Sequence, residues 1–159
     1  EKSFPAFSKK ENSYISLKKI NGEKLILLKP DTFMNNSGLS ALYLKSFYNL
    51  NNENIFVFHD EIDLEPSKIK IKRGGGHNGH NGLKSIDNNI GKDYHRIKIG
   101  VGRPKIIFKE NRDELISKWV LSDFKKIEEE KWVKRTIEII NVNFEDLIEK
   151  KFEKFLLNF

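Results

Sequence analysis

The sequence predicts an α/β fold: a single three-layer domain with a mixed central β-sheet flanked by helices and a helical C-terminal third. Three observations predict it, namely alternating apolar runs typical of strands, helical spacing of apolar residues between those runs, and consecutive helical patterns after residue 112. A chain of 159 residues can bury about 70% of the surface that its unfolded form exposes. We therefore expect one hydrophobic core and one domain over residues 1–159.

The first predicted elements are a hairpin and a helix. Apolar residues alternate over 14–20 and 24–29, and Asn21-Gly22 between these runs suits the positive φ angles of a tight turn. After Pro30, Asn36 or Ser37 can cap a helix. The helix should pack on the sheet through apolar positions at helical spacing, which are Leu39, Leu42, Tyr43, Phe47 and Leu50.

The rest of the sheet and the C-terminal helices follow. Residues 55–58 form a continuous apolar run, typical of a strand covered on both faces, whereas Ile69 and Ile71 alternate with lysines as in a half-exposed strand. Residues 82–90 predict a helix and 97–101 a strand, which Pro104 ends. Helical patterns cover 113–121, 123–140 and 144–157, with candidate core residues Trp119, Phe124, Trp132, Ile139, Leu147 and Phe155.

Composition narrows the classes of function. The chain has no cysteine, which excludes a disulfide framework, a thiolate metal site and a cysteine nucleophile and favours the cytoplasm. The 29 Lys and Arg residues outnumber 23 Asp and Glu residues, and the net charge of +6 favours an acidic partner, nucleic acid above all. No apolar run approaches the roughly 20 residues that a membrane span requires.

Basic residues are concentrated in the central stretch, where they alternate with apolar residues on two predicted strands. They are Lys70, Lys72, Arg73, Lys84, Arg96, Lys98, Arg103 and Lys105. We expect a basic strip that binds backbone phosphates, and a lysine-rich solvated sheet edge is the alternative.

Polar residues with possible chemistry surround this stretch. Asp60 follows an apolar run, at the edge where open α/β sheets place ligands. It could hold a histidine in the correct tautomer, or cap a turn. The glycine-rich loop 74–82 lacks the Gly-Lys-Ser/Thr ending of a P-loop and predicts a tight turn. Asn81 could cap the following helix, or offer donor and acceptor to a carbonyl or a water.

Several segments resemble the bacterial peptidyl-tRNA hydrolases, which cleave the ester joining a stalled peptide to its tRNA. They are KPDTFMNNSG at 29–38, VFHDEIDL at 57–64 and GGGHNGHNGLK at 74–84, followed by HRIKIGVGRP at 95–104. Their order and spacing agree with the family as well as their residue types. The resemblance extends from about Phe4 to the C-terminus, and is looser in the helical tail.

The resemblance implies a role for each matching residue. Asp60 orients the catalytic histidine, while Asn35 and Asn81 hold the ester and the attacking water. Lys72 and Lys98 bind the terminal 5′ phosphate of the tRNA. Relatives commonly have arginine at the position of Lys98. Because lysine offers a point charge and not the planar fork of a guanidinium group, we expect a weaker phosphate contact here. The implied substrate- and tRNA-binding residues are Phe33, Met34, Asn35, Lys72, His80, Asn81 and Lys98.

The family's first strand, its Asn-Pro-Gly and its Thr-Arg-His-Asn segment with the general base have no counterpart in this sequence. We therefore expect the domain to be incomplete at its N-terminus. None of the four histidines inherits the base role by alignment: His59, His77, His80 and His95.

The resemblance thus implies cytoplasmic hydrolysis of peptidyl-tRNA from aborted translation by histidine-assisted attack of water, without cofactor or metal, by a protein that is a monomer when complete. The main alternative is a non-catalytic RNA-binding relative, similar to plant organelle splicing factors. A third possibility is a metal-dependent phosphodiesterase with Asp60, Asp63, His77 and His80 as ligands.

Overall fold

The structure is a computed structural model that describes residues 4–104 and 111–159. Lys105 and most of the connection between Arg103 and Asp113 lie outside the described residues. The described residues divide into two compact units. The first contains the residues up to Phe56 together with Arg73–His95, and the second contains Val57–Lys72 and the residues from Arg96 to Phe159.

The first unit contains an antiparallel sheet of three strands, β1 (Ser8–Lys10), β2 (Ser13–Ile20) and β3 (Glu23–Pro30), in the order β1-β2-β3. The predicted hairpin is confirmed, since Ile20 pairs with Glu23 across the turn. Asn21 and Gly22 have φ angles of 51° and 84°. Two consecutive positive φ angles favour a turn whose twist matches that of the strands, and this fixes the pairing register.

Two helices, α1 (Ser37–Phe47) and α2 (Asn81–Ile90), complete the first unit. They approach closely: a Cβ at Gly38 would collide with the carbonyl oxygen of Ser85, and Gly38 N donates to Ser85 Oγ over 3.0 Å. The buried residues of α1 are small ones. The predicted apolar face of α1 is therefore wrong in large part, because small residues make the close contact and three of the apolar ones are exposed, namely Leu39, Leu42 and Phe47.

A second three-stranded sheet contains β4 (Phe56–Glu61), β5 (Ile69–Arg73) and β6 (His95–Gly100), in the order β4-β6-β5. It is mixed. The strands β4 and β6 are parallel, since His95 N donates to Ile55 O and Val101 N donates to Glu61 O. The strands β5 and β6 are antiparallel, since Gly74 N donates to Tyr94 O and Gly100 N donates to Lys68 O. The α/β class is confirmed, but the strands form two sheets where the sequence predicted one, because the hairpin strands pair with each other and with β1.

The buried centre of this mixed sheet is β6, where Arg96 and Ile97 are fully buried. The prediction that residues 55–58 are covered on both faces is wrong. Phe58 of the edge strand β4 is 41% exposed, so the face that bears it is not fully covered. The half-exposed pattern predicted for β5 is confirmed, with Ile69 buried and the lysines of the strand exposed.

The helical C-terminal third is confirmed. It contains α3 (Arg112–Leu121), α4 (Lys126–Glu128), a π-helical turn (Glu129–Val133), α5 (Lys134–Val142), α6 (Phe144–Ile148) and α7 (Phe152–Leu156). The third predicted helix is interrupted between α6 and α7, where Lys150 has a φ of 59°. No helix among the described residues is long and apolar enough to cross a membrane.

Only some of the core residues predicted for these helices are buried. Leu147 and Phe155 are buried as predicted. Phe124 is exposed, since it lies in the link before α4 and packs edge-on against Trp132 instead of entering the core. Trp119, Trp132 and Ile139 are only partly buried.

Candidate active site

Asp60 lies within β4, one residue before its end, and not beyond the strand as the sequence suggested. Its side chain is partly buried, and the ring of the buried His59 has Nδ1 2.6 Å from the Asp60 carbonyl oxygen. Because successive side chains of a strand point to opposite faces, Asp60 projects from one face and His59 and Glu61 from the other. Asp60 is therefore placed to act on the opposite face from its two neighbours.

The face that carries Asp60 borders a cavity of about 120 Å³. Val101, just after β6, and Trp119 on α3 line it together with Asp60. Trp119 is fixed there, because its Nε1 donates to the carbonyl oxygen of Gly102 over 3.0 Å. Asp60 thus lines a small, partly open cavity.

Glu61 is a partner of Lys98 that the sequence did not predict. Its Oε2 lies 2.8 Å from Lys98 Nζ, and its Oε1 accepts a hydrogen bond of 3.2 Å from Asp63 N. The two charged side chains are largely withdrawn from water, at 9% exposure for Glu61 and 17% for Lys98. Lys98, which the resemblance assigns to phosphate, is therefore already neutralised by a carboxylate. The only signal in the sequence was an acidic residue at the end of an apolar strand.

The register of the mixed sheet decides where the other cations lie. The two hydrogen bonds that flank the β5–β6 pair place Lys70 opposite Lys98 and Lys72 opposite Arg96, so all four side chains belong to one face. Arg96 is fully buried, so its predicted place in an exposed basic strip is wrong. Lys70 and Lys72 are exposed, and they are the residues of this set that present free charge to solvent.

Two further cations of the predicted strip are paired with acids. Arg73 binds Asp93 through two bonds of 2.8 Å, and the hydrogen bond and charge of Arg73 lower the pKa of the Asp93 carboxyl. Arg103 forms an ion pair with Asp63. These pairs occupy guanidinium groups that the sequence reasoning had counted toward phosphate binding.

In the first unit, the segment with Phe33 and Asn35 meets the start of α2. Asn35 belongs to a 3-10 turn, Met34–Asn36, and Phe33 before it is 84% exposed. A Cβ at Gly82 would lie 2.6 Å from Met34 Sδ, so the two segments pack closely at this point. The structure therefore brings the turn that bears Asn35 against the helix end that bears Asn81, and both asparagines are exposed.

The helix cap at this point belongs to His80, whose Nδ1 accepts a bond of 3.2 Å from Leu83 N. The capping role considered for Asn81 is therefore wrong, because Asn81 is the first residue inside α2. The glycine loop is a tight turn as predicted, with positive φ at Gly74, Gly75 and Gly79.

The remaining histidines have structural contacts. His77 Nδ1 accepts a bond of 3.2 Å from Gly79 N, and the buried ring of His95 stacks on Phe56 with centroids 4.9 Å apart. Over residues 4–104 and 111–159, no group of three or more His, Cys, Asp or Glu side chains could hold a metal ion.

Comparison with known proteins gives a consistent result. The family model described as peptidyl-tRNA hydrolase matches residues 2–159. The peptidyl-tRNA hydrolases of Rickettsia bellii and Rickettsia canadensis are 50% identical over 137 residues and 48% identical over 147 residues. These alignments cover 85% and 92% of this chain and 69% and 76% of the relatives.

The fold agrees with solved structures as well. The crystal structure of peptidyl-tRNA hydrolase from Acinetobacter baumannii matches with a TM-score of 0.79 and 31% sequence identity. The match covers 96% of this chain and 76% of that one. The chain belongs to the peptidyl-tRNA hydrolase family.

Proposed function

We propose that this protein hydrolyses the ester bond between peptide and tRNA in peptidyl-tRNA, and so recycles tRNA from aborted translation in the cytoplasm. The observation that carries the proposal is the family match over residues 2–159, which includes every position assigned a role by resemblance. The relatives compared above are hydrolases by name, and nothing in the comparisons supports the non-catalytic RNA-binding alternative.

The proposed reaction is attack of water on the ester carbonyl. An imidazole removes a proton from the water, the tetrahedral intermediate collapses, and the ribose oxygen of the tRNA leaves with a proton returned by the imidazolium. Asp60 orients that imidazole and stabilises its charged form. The amides of Asn35 and Asn81 act as donors and acceptors toward the carbonyl and the water. Their exposure and the partial burial of Asp60 support these roles.

The general base is proposed to be a histidine other than the four in this sequence. His59 and His95 are buried, and His80 caps α2, which supports the expectation that none of them has the base role. In the resemblance, the base belongs to a Thr-Arg-His-Asn segment that has no counterpart in this sequence. An assay of this chain beside a version extended upstream tests that expectation directly.

Lys72 is proposed as the main phosphate contact, with Lys98 in a lesser role. Lys72 is exposed on β5, whereas Lys98 forms an ion pair with Glu61. Charged contacts with phosphates supply much of the affinity for nucleic acid. We further propose that the complete protein is monomeric and needs no cofactor or metal.

The test is release of labelled N-acetyl-aminoacyl groups from tRNA, measured in chelator with the original chain, the extended version and an Asp60→Asn variant of whichever is active. We expect Asp60→Asn to lower kcat by about 10²- to 10⁴-fold, because the imidazole loses its orienting charge, with tRNA affinity unchanged. Asp113→Asn, an exposed carboxylate at the start of α3, is the matched control. Full activity of Asp60→Asn would remove Asp60 from the mechanism, and inactivity of both lengths would refute the proposed function.

A further inference from the structure

Glu61 holds the ammonium group of Lys98 through a carboxylate that is itself fixed in place. Glu61 Oε2 lies 2.8 Å from Lys98 Nζ, and the side chain of Glu61 is 9% exposed. Its other oxygen, Oε1, accepts a hydrogen bond of 3.2 Å from Asp63 N. Because a buried charge without its partner is strongly unfavourable, we expect the pair to stay together when a ligand approaches.

The pair lies in a row of charged side chains that crosses the mixed sheet. Glu61 belongs to β4, Lys98 to the central strand β6, and Lys70 to β5, directly opposite Lys98. Directly opposed side chains have Cβ atoms about 4.5–5.5 Å apart, so Lys98 would repel Lys70 if its charge were not balanced. The carboxylate balances that charge, and the exposed Lys70 and Lys72 lie next to a neutral pair.

The same carboxylate opposes a phosphate that approaches Lys98. A phosphate oxygen and Glu61 Oε2 would compete for one ammonium group, and they would lie within about 6 Å of each other if both were bonded to it. Two negative charges at that distance repel, and they do so more strongly at a partly buried site than in bulk water. Since Glu61 is buried, salt in the solvent screens this repulsion only weakly.

We propose that Glu61 is a specificity-determining residue that acts through Lys98 and limits how tightly this face of the sheet binds a terminal phosphate. Resting on the proposed function, the ligand is the 5′ phosphate of the tRNA, with Lys72 as its main contact. The preference for a 5′-phosphorylated tRNA then depends on Lys72, while the pair of Glu61 and Lys98 contributes no net charge. Because substrate and product share this end of the tRNA, a limited affinity favours release of the deacylated tRNA.

The experiment compares two forms of one deacylated tRNA, with a 5′ monophosphate and with the 5′ hydroxyl left by phosphatase. Filter binding at a fixed salt concentration gives the ratio of their dissociation constants without any turnover. Glu61→Gln keeps an acceptor oxygen for Asp63 N and removes the charge. It should raise the preference for the 5′-phosphorylated form at least about threefold, as expected for the loss of one repulsive charge about 6 Å away. An unchanged or lower preference overturns the proposal.

Glu65→Gln is the matched control, because it removes one carboxylate from an exposed position just after β4. It should leave the ratio of the two dissociation constants unchanged. An equal rise in Glu61→Gln and Glu65→Gln would show that net charge sets the preference, which also overturns the proposal.

The double variant Glu61→Leu with Lys98→Met decides the question if Glu61→Gln does not fold, because apolar replacement of a whole buried ion pair is often neutral or stabilising. Removal of a neutral pair should leave the preference for the 5′ phosphate as it is in the original protein. Loss of the preference in the double variant would show that Lys98 binds the phosphate despite Glu61, and this would overturn the proposal. A ratio of one in both proteins would overturn it as well.

Release of N-acetyl-aminoacyl groups from tRNA is assayed with the same proteins, so that the two proposals can fail separately. The expected binding ratios without hydrolysis would refute the proposed function and support the role of Glu61. Hydrolysis with a ratio that Glu61→Gln does not change would refute the role of Glu61 alone.

Discussion

Lys98, which was expected to bind phosphate, forms a buried ion pair with Glu61. A buried carboxylate that has lost its partner lowers the stability of the fold by far more than the intact pair contributes to it. Lys98→Met should therefore destabilise the protein by about 3–5 kcal/mol. Urea unfolding, monitored by circular dichroism, measures this loss of stability.

A lysine of the same chemistry on the surface provides the control for this prediction. Lys118 lies 2.6 Å from Glu114 on α3, but both side chains are mostly exposed. Lys118→Met should therefore cost less than about 1 kcal/mol. The double variant Glu61→Leu with Lys98→Met should recover much of the stability lost in Lys98→Met, and equal losses for the two lysines would show that the Lys98 pair is not withdrawn from water.

The pair of Arg73 and Asp93 makes a prediction about pH. The pKa of the Asp93 carboxyl is lowered chiefly by its hydrogen bond from Arg73. A lowered folded-state pKa means that the pair stabilises the fold above the unfolded pKa of Asp93, and that this contribution is lost as the pH falls through the folded pKa. Arg73→Gln should raise the Asp93 pKa toward its ordinary value, as followed by NMR titration of the carboxyl carbon. An unchanged titration curve would show that the ion pair does not form in solution.

Residue identity alone could not predict these pairings. The resemblance assigns roles to Asp60, Asn35 and Asn81, but the partner of Lys98 depends on how β4 and β6 align. A shift of one residue in that alignment would place Glu61 on the opposite face from Lys98. Register is a property of paired strands, and no local pattern in either strand specifies it.

At the scale of elements, the contact between α1 and α2 depends on the absence of a side chain. A methyl group at Gly38 would collide with the Ser85 carbonyl oxygen, and backbone cannot yield as a flexible side chain does. Gly38→Ala should cost about 1–3 kcal/mol through overpacking, even though alanine favours helix formation. The free energy of unfolding in urea measures the loss.

Ser46→Ala, at an exposed position of the same helix, controls for the gain in helix propensity and should be neutral or slightly stabilising. Stabilisation by Gly38→Ala would mean that the two helices are further apart than the structure shows. The same contact explains why the apolar face of α1 was mispredicted. Helical periodicity identifies large apolar residues, whereas here small residues allow two backbones to approach.

Elements with strong local signals were predicted correctly. The hairpin follows from Asn21-Gly22, a dipeptide that adopts consecutive positive φ angles, and α2 follows from the glycine-rich turn before it. The burial of β4 was mispredicted, because an apolar run does not reveal what packs on each face of the strand, and Phe58 remains 41% exposed.

At the scale of the whole molecule, a net charge of +6 predicts salt-dependent binding of tRNA, and the structure limits which cations contribute. Lys70 and Lys72 are exposed on one face of β5. Replacing both with glutamine should reduce the slope of log K against log salt concentration by about 1.4–1.8, the value for two lost phosphate contacts. Filter binding of tRNA across a salt series measures this slope.

Net charge must be separated from position in that experiment. Lys10→Gln with Lys19→Gln removes the same charge from exposed positions in the first unit and should change the slope much less. Equal slopes for the two double variants would favour the alternative of a diffusely basic surface.

Composition and periodicity thus predicted the α/β class and the helical C-terminal third. They did not predict the two separate sheets, since pairing between strands distant in sequence is decided by tertiary contacts. They also gave no sign of the cavity beside Asp60, whose lining includes a residue as distant in sequence as Trp119.

The alternation of side chains along the mixed sheet places Asp60 and the lysines on different faces, where substitutions can act independently. Asp60 points to one face, and Lys72 and Lys98 belong to the other. With the roles proposed above for these residues, the turnover rate and the choice of tRNA can therefore diverge separately within one sheet. Asp60→Asn and Lys72→Gln, combined, should show additive losses in the free energy of transition-state binding, as expected of sites without shared partners.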